Sequence, residues 1–452
     1  MATDWTTDSN EALTLSLVRA PEDKRVLGPN ESYEEFHPTF TYPIYGEDEK
    51  IYGYRDLVID LRFASGSLAP YLSVRHSEKL SSSSTVDDVE GILKEYIPPD
   101  YDTDESSFLA RVEQDAASFK PIGTLIHTYT RPSPTAVVGS APVEYEVYHA
   151  TWQDPGFREY HQRMQLFILL YIEAGSYINE EEDGWEFVVL YEKRKREASG
   201  DDAECTVTYH FIGYSSLYNF YCFPEKVRMR LSQFVILPPY QRQGHGSELY
   251  SSIYAYVLSH SHISELTVED PAEAFEDLRD RNDLKMLLGH AQFMAEGFGS
   301  SSGAELGVEP KSGFDFENET THREGGGRVQ KARTRVRATP VGVSAVADIK
   351  GKAKGKGKMG PPVDKAWAEA WRKELKIAGR QFQRLVEMLT LMHLDPADAN
   401  GAKAYRLQVK ERLYRFNFEI LAQLEKHERL EKLEETFGSV TEDYTRILAM
   451  VK

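Results

Sequence analysis

Cysteine is scarce in this chain, which has only Cys205 and Cys222 among its 452 residues. Two thiols are too few for a scaffold stapled by disulfides or for a zinc site built from several cysteines. Long apolar runs are also missing, so no stretch of about 18 apolar residues is present to span a membrane. The start, MATDWTTDSNEALTL, lacks the basic residues and the apolar centre of a secretory signal. These absences favour a folded protein of a reducing compartment.

The charge of the chain is unevenly distributed. The net charge is −19, yet residues 323–358 hold 11 basic and 2 acidic side chains, so the remainder carries −28. A strongly acidic body repels nucleic acid and attracts basic partners, although such a charge also serves ordinary solubility. A hydrophobic fraction of 41% indicates a globular protein, and the length allows two or three folded domains.

Hydrophobic patterns divide the chain into four parts. Residues 1–120 and 121–290 alternate strand-like with helix-like segments, which predicts two mixed α/β units. Residues 291–362 are rich in Gly, Ser, Lys and Arg, which predicts a basic disordered linker. In residues 363–452, apolar side chains return at three- and four-residue steps, which predicts a C-terminal helical domain.

The most informative segment runs from Arg230 to Asp270. It reads as a strand, a glycine-containing loop (Gln241–Gly246), a helix and a second strand that ends in Glu269 and Asp270. Such a loop turns backbone N–H groups toward one point at a helix N-terminus, which attracts phosphate. It is neither a Walker A loop, which needs a Lys-Ser/Thr pair, nor the dinucleotide fingerprint. An anion site beside two carboxylates predicts group transfer from a phosphate-bearing carrier.

The Q-x-x-G-x-G form of this loop resembles the pyrophosphate loop of GCN5-related N-acetyltransferases. SQFVILPPYQRQGHGSELY (232–250) and LTVEDPAEAFEDLRDRNDL (266–284) together resemble the catalytic subunits of type B histone acetyltransferases. FTYPIYGEDEKIYGY (40–54), FILLYIEAGSYI (167–178) and SSLYNFYCFPEK (215–226) extend the resemblance over most of residues 1–290. It implies a mixed α/β (α+β) fold with a GCN5-related core around a twisted mixed sheet. It also implies direct acetyl transfer from acetyl-coenzyme A to lysine amines of newly made free histones, chiefly histone four.

Three acids are catalytic candidates under this resemblance. Glu269 matches the general base that takes a proton from the lysine ammonium. Without such a base, deprotonating a lysine with a pKa near 10.4 costs roughly 4–5 kcal/mol at pH 7. Asp270 either adjusts Glu269 through its like charge or caps the helix that follows. Glu173 matches a further acid at the site and is the alternative base.

The resemblance also implies binding residues for both substrates. Acetyl-coenzyme A would contact the main chain of a strand, the glycine loop and an arginine at the nucleotide end: Phe234, Val235, Ile236, Gln241, Arg242, Gln243, Gly244, His245, Gly246, Ser247 and Arg281. The two glycines would let the diphosphate approach the backbone without a Cβ in the way. The histone tail would contact acids that attract its charge and aromatic rings that pack on its lysines: Glu47, Asp48, Glu49, Tyr218, Asn219 and Phe220. No metal is implied.

The expected partners are histone tails, histone dimers and a beta-propeller (WD-repeat) histone-binding subunit, but neither nucleic acid nor a membrane. The expected location is the cytoplasm and nucleus. Alternative functions are a catalytically inactive histone-binding chaperone and an acetyltransferase for another basic amine. A relay of the acetyl group through Cys205 or Cys222 is a further alternative. The basic stretch 323–358 is a localisation signal, a plain linker or a pseudo-substrate that competes for the acidic site.

Overall fold

A computed structural model of the chain describes residues 5–28, 31–81, 86–132, 142–196, 206–299 and 357–451. Cys205 and nearly all of the basic stretch 323–358 lie outside these residues, and so do the predictions made for them. Contacts divide the chain into two compact units, 1–284 with 368–388 and 440–452, and 285–367 with 389–439. The predicted boundary at residue 120 lies inside the first unit, and the predicted C-terminal domain is divided between both.

The strands, in chain order, are β1 (Thr6–Asp8), β2 (Leu13–Val18), β3 (Lys50–Tyr52), β4 (Tyr54–Arg55), β5 (Val58–Ala64), β6 (Pro70–Arg75), β7 (Glu78–Lys79), β8 (Thr124–Arg131), β9 (Val143–Thr151), β10 (Trp185–Lys195), β11 (Val207–Cys222), β12 (Lys226–Ile236) and β13 (Ile263–Val268). The helices are α1 (Ser9–Ala12), α2 (Pro21–Arg25), α3 (Tyr42–Tyr45), α4 (Val89–Lys94), α5 (Glu105–Ser118), α6 (Phe157–Met164), α7 (Leu166–Tyr171), α8 (His245–Ser259), α9 (Glu273–Gly289), α10 (Ala291–Phe298), α11 (Lys365–Glu374), α12 (Gly379–Met392), α13 (Ala399–Phe416), α14 (Phe418–Leu421) and α15 (Lys426–Val451).

The largest sheet has the strand order β13-β12-β11-β10-β9-β8. Its neighbouring strands are antiparallel except β12 and β13, which run parallel and are connected through α8. Parallel neighbours need a crossover of this kind, so the predicted strand–loop–helix–strand unit is confirmed. Helix α8 packs on the sheet through a stripe of fully buried residues at four-residue spacing, Leu249, Ile253 and Val257.

The N-terminal residues add a smaller sheet of order β2-β5-β6. Helix α5 packs on it, with Phe108 and Val112 in the same apolar core as residues of the strands. Asp104 caps this helix, and its side chain accepts a hydrogen bond of 2.8 Å from the Ser107 N–H. The Phe211 N–H donates to the Ser65 carbonyl at 2.7 Å, which ties the small sheet to β11. The mixed α/β (α+β) fold is therefore confirmed.

The predicted linker begins too early, because residues 291–298 form helix α10. The His290 side chain caps this helix by accepting from the Phe293 N–H at 3.2 Å. Phe293 is fully buried and stacks on Trp367 with 5.2 Å between ring centroids. A short apolar run was hidden in a stretch whose average composition is polar.

In the part of the chain that the structure describes, no helix is long and apolar enough to cross a bilayer.

Helix α9, which follows the second strand of the parallel pair, is held by the C-terminal helices. Arg384 of α12 forms an ion pair of 2.6 Å with Asp280, and Gln381 donates to Asp283 at 2.9 Å. Arg446 of α15 pairs with Asp277 at 2.6 Å. The C-terminal helices therefore stabilise a helix of the α/β part.

Asp283 makes stability depend on pH, because burial raises its pKa to about 6. An acid whose pKa is higher in the folded state than in the unfolded state stabilises the fold at low pH, and this contribution is lost as the pH rises to 6. We expect the protein to lose about 2 kcal/mol of unfolding free energy between pH 4.5 and pH 7 through this group. Urea unfolding of Asp283→Asn at pH 4.5 and pH 7 should give unfolding free energies without that difference. Glu273→Gln, on the exposed side of α9, is the control, and parallel profiles for Asp283→Asn and the wild type would contradict the prediction.

Candidate active site

The parallel strands β12 and β13 separate into a crevice halfway along β12. Their ladder ends at the pair Leu231–Val268, while β12 continues to Ile236 beside β11. A bulge marks the same place, because Ser232 is an extra residue between two consecutive pairs of β11 and β12. Among the described strands, none pairs with the other edge of residues 232–236. We call this open edge the β12–β13 crevice, and it fits an extended ligand that pairs with β12 as a further strand would.

Three predicted cofactor residues, Phe234, Val235 and Ile236, lie on the open edge of this crevice. The Phe234 ring packs edge-on against Phe275 of α9, with centroids 4.9 Å apart. Val235 is buried. The side chains thus fix the strand, and the main chain of the open edge is what a ligand can reach.

Glu269 lies directly after β13, where the crevice opens. Its N–H donates to the Leu231 carbonyl at 3.0 Å. Its carboxylate accepts two hydrogen bonds from β12, one from Arg230 Nη1 at 3.0 Å and one from Ser232 Oγ at 2.8 Å. With 45% of the side chain exposed, an amine can still reach the carboxylate. The group is therefore positioned by the strand that borders the crevice, as a general base has to be.

Asp270 does not cap the helix that follows, so that alternative is wrong. It lies in a turn with a φ of 28°, and α9 begins only at Glu273. The residue before the first helical position is Ala272, whose carbonyl accepts from the Glu276 N–H at 2.9 Å. A catalytic contribution from Asp270 stays a prediction.

Glu173, the alternative base, is exposed in the turn after α7. This turn is attached to β12, because Gln233 Nε2 donates to the Ser176 carbonyl at 2.8 Å. The Ala174 N–H donates to the Tyr42 hydroxyl, so the turn also contacts the segment that leads to the acidic loop, residues 47–49. The turn of Glu173 is thus attached both to β12, which holds Glu269, and to the segment that leads to the acidic loop.

The glycine loop leads from β12 into α8 as predicted. Gly244 precedes the helix with a φ of 88°, a left-handed conformation that residues with a Cβ rarely adopt. The first N–H groups of a helix have no acceptor within it, and together with the helix dipole they form an anion site. Gln241 and Gln243 brace the loop, since their side-chain amides donate to the carbonyls of Ile236 and Pro239 at 2.8 and 2.9 Å.

Two loop residues also have structural roles. A Cβ on Gly246 would lie 2.8 Å from Leu278 Cδ1, so this glycine allows the close packing of α8 on α9, and its contact with a diphosphate stays a prediction. His245 is only 1% exposed, and its Nδ1 lies 2.6 Å from the Tyr129 hydroxyl. Burial lowers the pKa of His245 to about 4, so the side chain is a neutral core group. Only the main chain of His245 is left for a cofactor.

Helix α9 flanks the start of α8 on one side. Asn282 Nδ2 donates to Ser247 Oγ at 3.2 Å, so this predicted loop hydroxyl is already tied to α9. Arg281 comes one residue earlier on α9, and its Nε is buried without a partner in the described residues. A contact of Arg281 with the nucleotide end of the cofactor stays a prediction, as do those of Arg242 and Ser247.

The three residues of β11 that are predicted to contact the tail divide between the two faces of the strand. Tyr218 and Phe220 share one face, with ring centroids 4.7 Å apart, and the guanidinium of Arg230 lies 4.2 Å from the centroid of Phe220. Arg230 thus connects this aromatic pair to Glu269. Asn219 points to the other face, where it donates to Glu186, because successive side chains of a strand alternate. Its side chain is therefore not brought together with the other two.

The acidic loop contains one acid with a structural role. Glu49 Oε1 accepts from the N–H groups of Thr41 and Tyr42 at 2.7 and 3.1 Å, so it fixes the start of α3. Glu47 and Asp48 are exposed. These two are the acids that remain available to a basic peptide.

An acetyl relay through Cys222 does not fit this geometry. Cys222 is a free thiol at the end of β11 that faces Lys226, whereas the crevice begins beside Ser216. Six residues of extended strand separate Cys222 from Ser216, which is about 20 Å. Among the described residues, no group of three or more potential ligands is arranged to hold a metal ion.

Behind the glycine loop lies a buried network that sequence reasoning missed. Arg19 and Glu192 form an ion pair of 2.6 Å, with 1% and 0% of their side chains exposed. Tyr240, in the turn before the loop, lies 2.9 Å from Arg19 Nη2 and donates to Glu192 at 3.0 Å. Burial alone would raise the pKa of Glu192, but the charges of Arg19 and Arg194 outweigh it and hold the pKa far below its usual range. We call these four residues the Glu192 network.

An open strand edge, a helix N-terminus and a carboxylate at the crevice form the arrangement that an N-acetyltransferase requires. The family model described as "Histone acetyl transferase HAT1 N-terminus" matches residues 5–173, and the model "Fungal HAT1, C-terminal" matches residues 350–395. The chain is 47% identical to the histone acetyltransferase type B catalytic subunit of Cryptococcus neoformans, over 99% of this chain and 98% of that protein. The chain therefore belongs to the family of type B histone acetyltransferase catalytic subunits.

More distant relatives carry the same description. The Mycosarcoma maydis protein is 41% identical over 98% of this chain and 88% of its own length, and the rat protein is 29% identical over 98% and 93%. Among solved structures, an aminoglycoside acetyltransferase from a soil metagenomic sample, in complex with sisomicin, matches 30% of this chain and 86% of its own. Its TM-score is 0.22 and its identity 13%, a likeness that adds nothing to the family assignment.

Proposed function

We propose that this chain transfers acetyl from acetyl-coenzyme A directly to lysine amines in the N-terminal tails of newly made free histones, chiefly histone four. Membership of the type B family supports the reaction class. The observation that carries the mechanism is Glu269, held by Arg230 and Ser232 where the β12–β13 crevice opens.

The residues present fit the donor. When bound, acetyl-coenzyme A supplies the activated thioester. The open edge of β12 orients its extended arm through main-chain hydrogen bonds, and the N–H groups at the start of α8 hold its diphosphate. Glu269 accepts the proton of the lysine ammonium as the amine attacks. Arg230 and Ser232 keep that carboxylate in place, so little reorganisation is needed during the reaction.

The basic tail is expected to meet the exposed acids Glu47 and Asp48 and the aromatic pair Tyr218 and Phe220. Charge-assisted hydrogen bonds and long-range attraction favour a lysine-rich peptide there. We further propose that histone dimers and a WD-repeat histone-binding subunit are its partners, and that it works in the cytoplasm and nucleus.

A substrate panel tests the proposed function. Purified full-length protein receives acetyl-coenzyme A with a histone-four tail peptide, a shuffled basic peptide of equal charge, spermidine or an aminoglycoside. Mass spectrometry then measures product and site. We expect kcat/KM for the tail to exceed that for the shuffled peptide by about tenfold, the effect of about 1.4 kcal/mol of specific contacts. Preference for a small amine would favour an acetyltransferase of another class, and tail binding without turnover would favour an inactive chaperone.

A further inference from the structure

A cation from outside the glycine motif lies beside the loop. Arg131 ends β8, the edge strand opposite β13 in the six-stranded sheet. A Cβ on Gly244 would come within 2.9 Å of Arg131 Nη2 and 3.4 Å of its Cζ. The guanidinium is therefore in contact range of the backbone at the residue that precedes α8.

The Arg131 side chain is held in place by the first turn of α8. Its Nη2 donates to Glu248 Oε1 at 2.8 Å, and His127 Nε2 lies 3.4 Å from the other oxygen of that carboxylate. The hydrogen bond from His127 and the charge of Arg131 hold the pKa of Glu248 below its usual value. The guanidinium is thus preorganised, which lowers the conformational entropy that a ligand contact has to overcome.

Most of the donors of Arg131 remain available. A guanidinium has five N–H donors in a planar fork, and the contact with Glu248 uses one. Its Nε is buried without a hydrogen-bond partner in the described part of the chain. The side chain as a whole is partly exposed. The remaining Nη donors of this fixed, partly exposed cation, next to main-chain N–H groups, suit an anion with several acceptor oxygens.

The negative charge of a diphosphate explains why a cation is needed beside the loop. A helix N-terminus carries roughly half an elementary charge, whereas each phosphate of a diphosphate carries about one negative charge. The loop contributes neutral N–H groups at Gly244 and His245, so a nearby cation improves the balance. Arg131 is a cation in contact range of that backbone.

We propose that Arg131 is a phosphate-binding residue that binds the diphosphate of acetyl-coenzyme A from the β8 side of the site. The inference rests on the proposed function, because it assumes that this donor occupies the glycine loop. It adds to the motif a side chain from more than a hundred residues earlier in the sequence. In this arrangement Glu248 positions Arg131, and the diphosphate takes the free donors of the fork.

Binding measurements with shortened ligands test the proposal without an activity assay. Isothermal titration calorimetry measures Kd for coenzyme A, 3′-dephospho-coenzyme A and pantetheine, with wild type, Arg131→Gln and Arg131→Lys. We expect Arg131→Gln to weaken coenzyme A and the dephospho form equally, by about 10- to 100-fold. Arg131→Lys should restore part of the loss, because it keeps the charge but not the fork. Pantetheine, which lacks the diphosphate, should bind both variants as it binds the wild type.

Arg228→Gln is the matched control, because it removes a partly exposed arginine from a comparable ion pair, 2.6 Å long, at the other end of β12. It should leave all three affinities unchanged. Equal affinity of Arg131→Gln and wild type for coenzyme A would overturn the inference. A loss that disappears with the dephospho form would assign Arg131 to the 3′-phosphate, and an equal loss for pantetheine would make it merely structural; either overturns the proposal. A wild type that binds no coenzyme A would instead defeat the proposed function.

Discussion

Glu269→Gln should lower kcat for tail acetylation by about 10²- to 10⁴-fold, the usual contribution of a positioned general base. The amide has the size of the carboxylate and still accepts hydrogen bonds, so Arg230 and Ser232 can hold it in the same place. It cannot take a proton from an ammonium. The Kd for coenzyme A should stay within about twofold, since the diphosphate and the open strand edge are untouched. Steady-state kinetics measures kcat, and calorimetry measures the Kd for coenzyme A separately.

Two further variants give this experiment its controls. Glu273→Gln changes an acid four residues later whose side chain is 85% exposed, and its rate should be that of the wild type. Glu173→Gln tests the alternative base in the turn attached to β12. A full rate in Glu269→Gln with a large loss in Glu173→Gln would transfer the role of base to Glu173. Full rates in both variants would remove both carboxylates from the proton transfer.

The unit around the glycine loop was readable from sequence because its signals are local. A strand, a glycine before the helix and an apolar stripe at helical spacing are all short-range patterns, and the structure confirms each of them in β12, Gly244 and α8. The family resemblance was carried by the same segments. The main-chain contacts that it implies for Phe234, Val235 and Ile236 are compatible with the edge that the β12–β13 ladder leaves open after Leu231.

What escaped prediction depends on pairing between distant segments. The bulge at Ser232 exists only through the register of β12 against β11, so no pattern within β12 announces it. Arg131 lies beside the loop because the end of β8 is close to the start of α8, although the two are far apart in sequence. The partner of Asn219 is also distant in sequence, because its side chain donates to Glu186 of β10 on the face opposite to Tyr218 and Phe220.

Side-chain roles within a motif were equally hard to read. The sequence groups Glu49 with the acids that would contact the tail, but its carboxylate binds N–H groups of the preceding segment, a competition typical of short polar turns. His245 stands in a polar loop, yet it is the first residue of a helix whose inner face is buried. Sequence gives the polarity of these residues, and only the fold gives the direction in which they point.

Glu192→Gln should destabilise the fold by about 3–5 kcal/mol, because it leaves buried cations without their carboxylate. Arg19 is almost fully buried and pairs with Glu192 through its two terminal nitrogens, Nη1 and Nη2, and Arg194 donates to the same carboxylate. Urea unfolding measures the loss. The control is Glu78→Gln, which breaks a solvent-facing pair of 2.7 Å with Arg55 and should cost less than about 1 kcal/mol.

A second substitution separates an uncompensated charge from lost packing. Arg19→Met in the Glu192→Gln background removes the cation that the first change left buried. If the charge causes the destabilisation, the double variant should be less destabilised than the sum of the single variants, by about 1–3 kcal/mol. Strict additivity would mean that the two side chains act independently, and would contradict the role assigned to the pair.

The Glu192 network also connects stability to the binding of the donor. Tyr240 is the last residue of the turn before the loop, and its hydroxyl is fixed by both Arg19 and Glu192. When the network is broken, the turn loses its anchor and the N–H groups at the start of α8 are held less firmly. We therefore expect the folded fraction of Glu192→Gln, measured at low temperature, to bind coenzyme A more weakly than the wild type, whereas Glu78→Gln binds it normally. Unchanged affinity in a folded Glu192→Gln protein would show that the loop keeps its geometry without the network, because its own braces, Gln241 and Gln243, suffice.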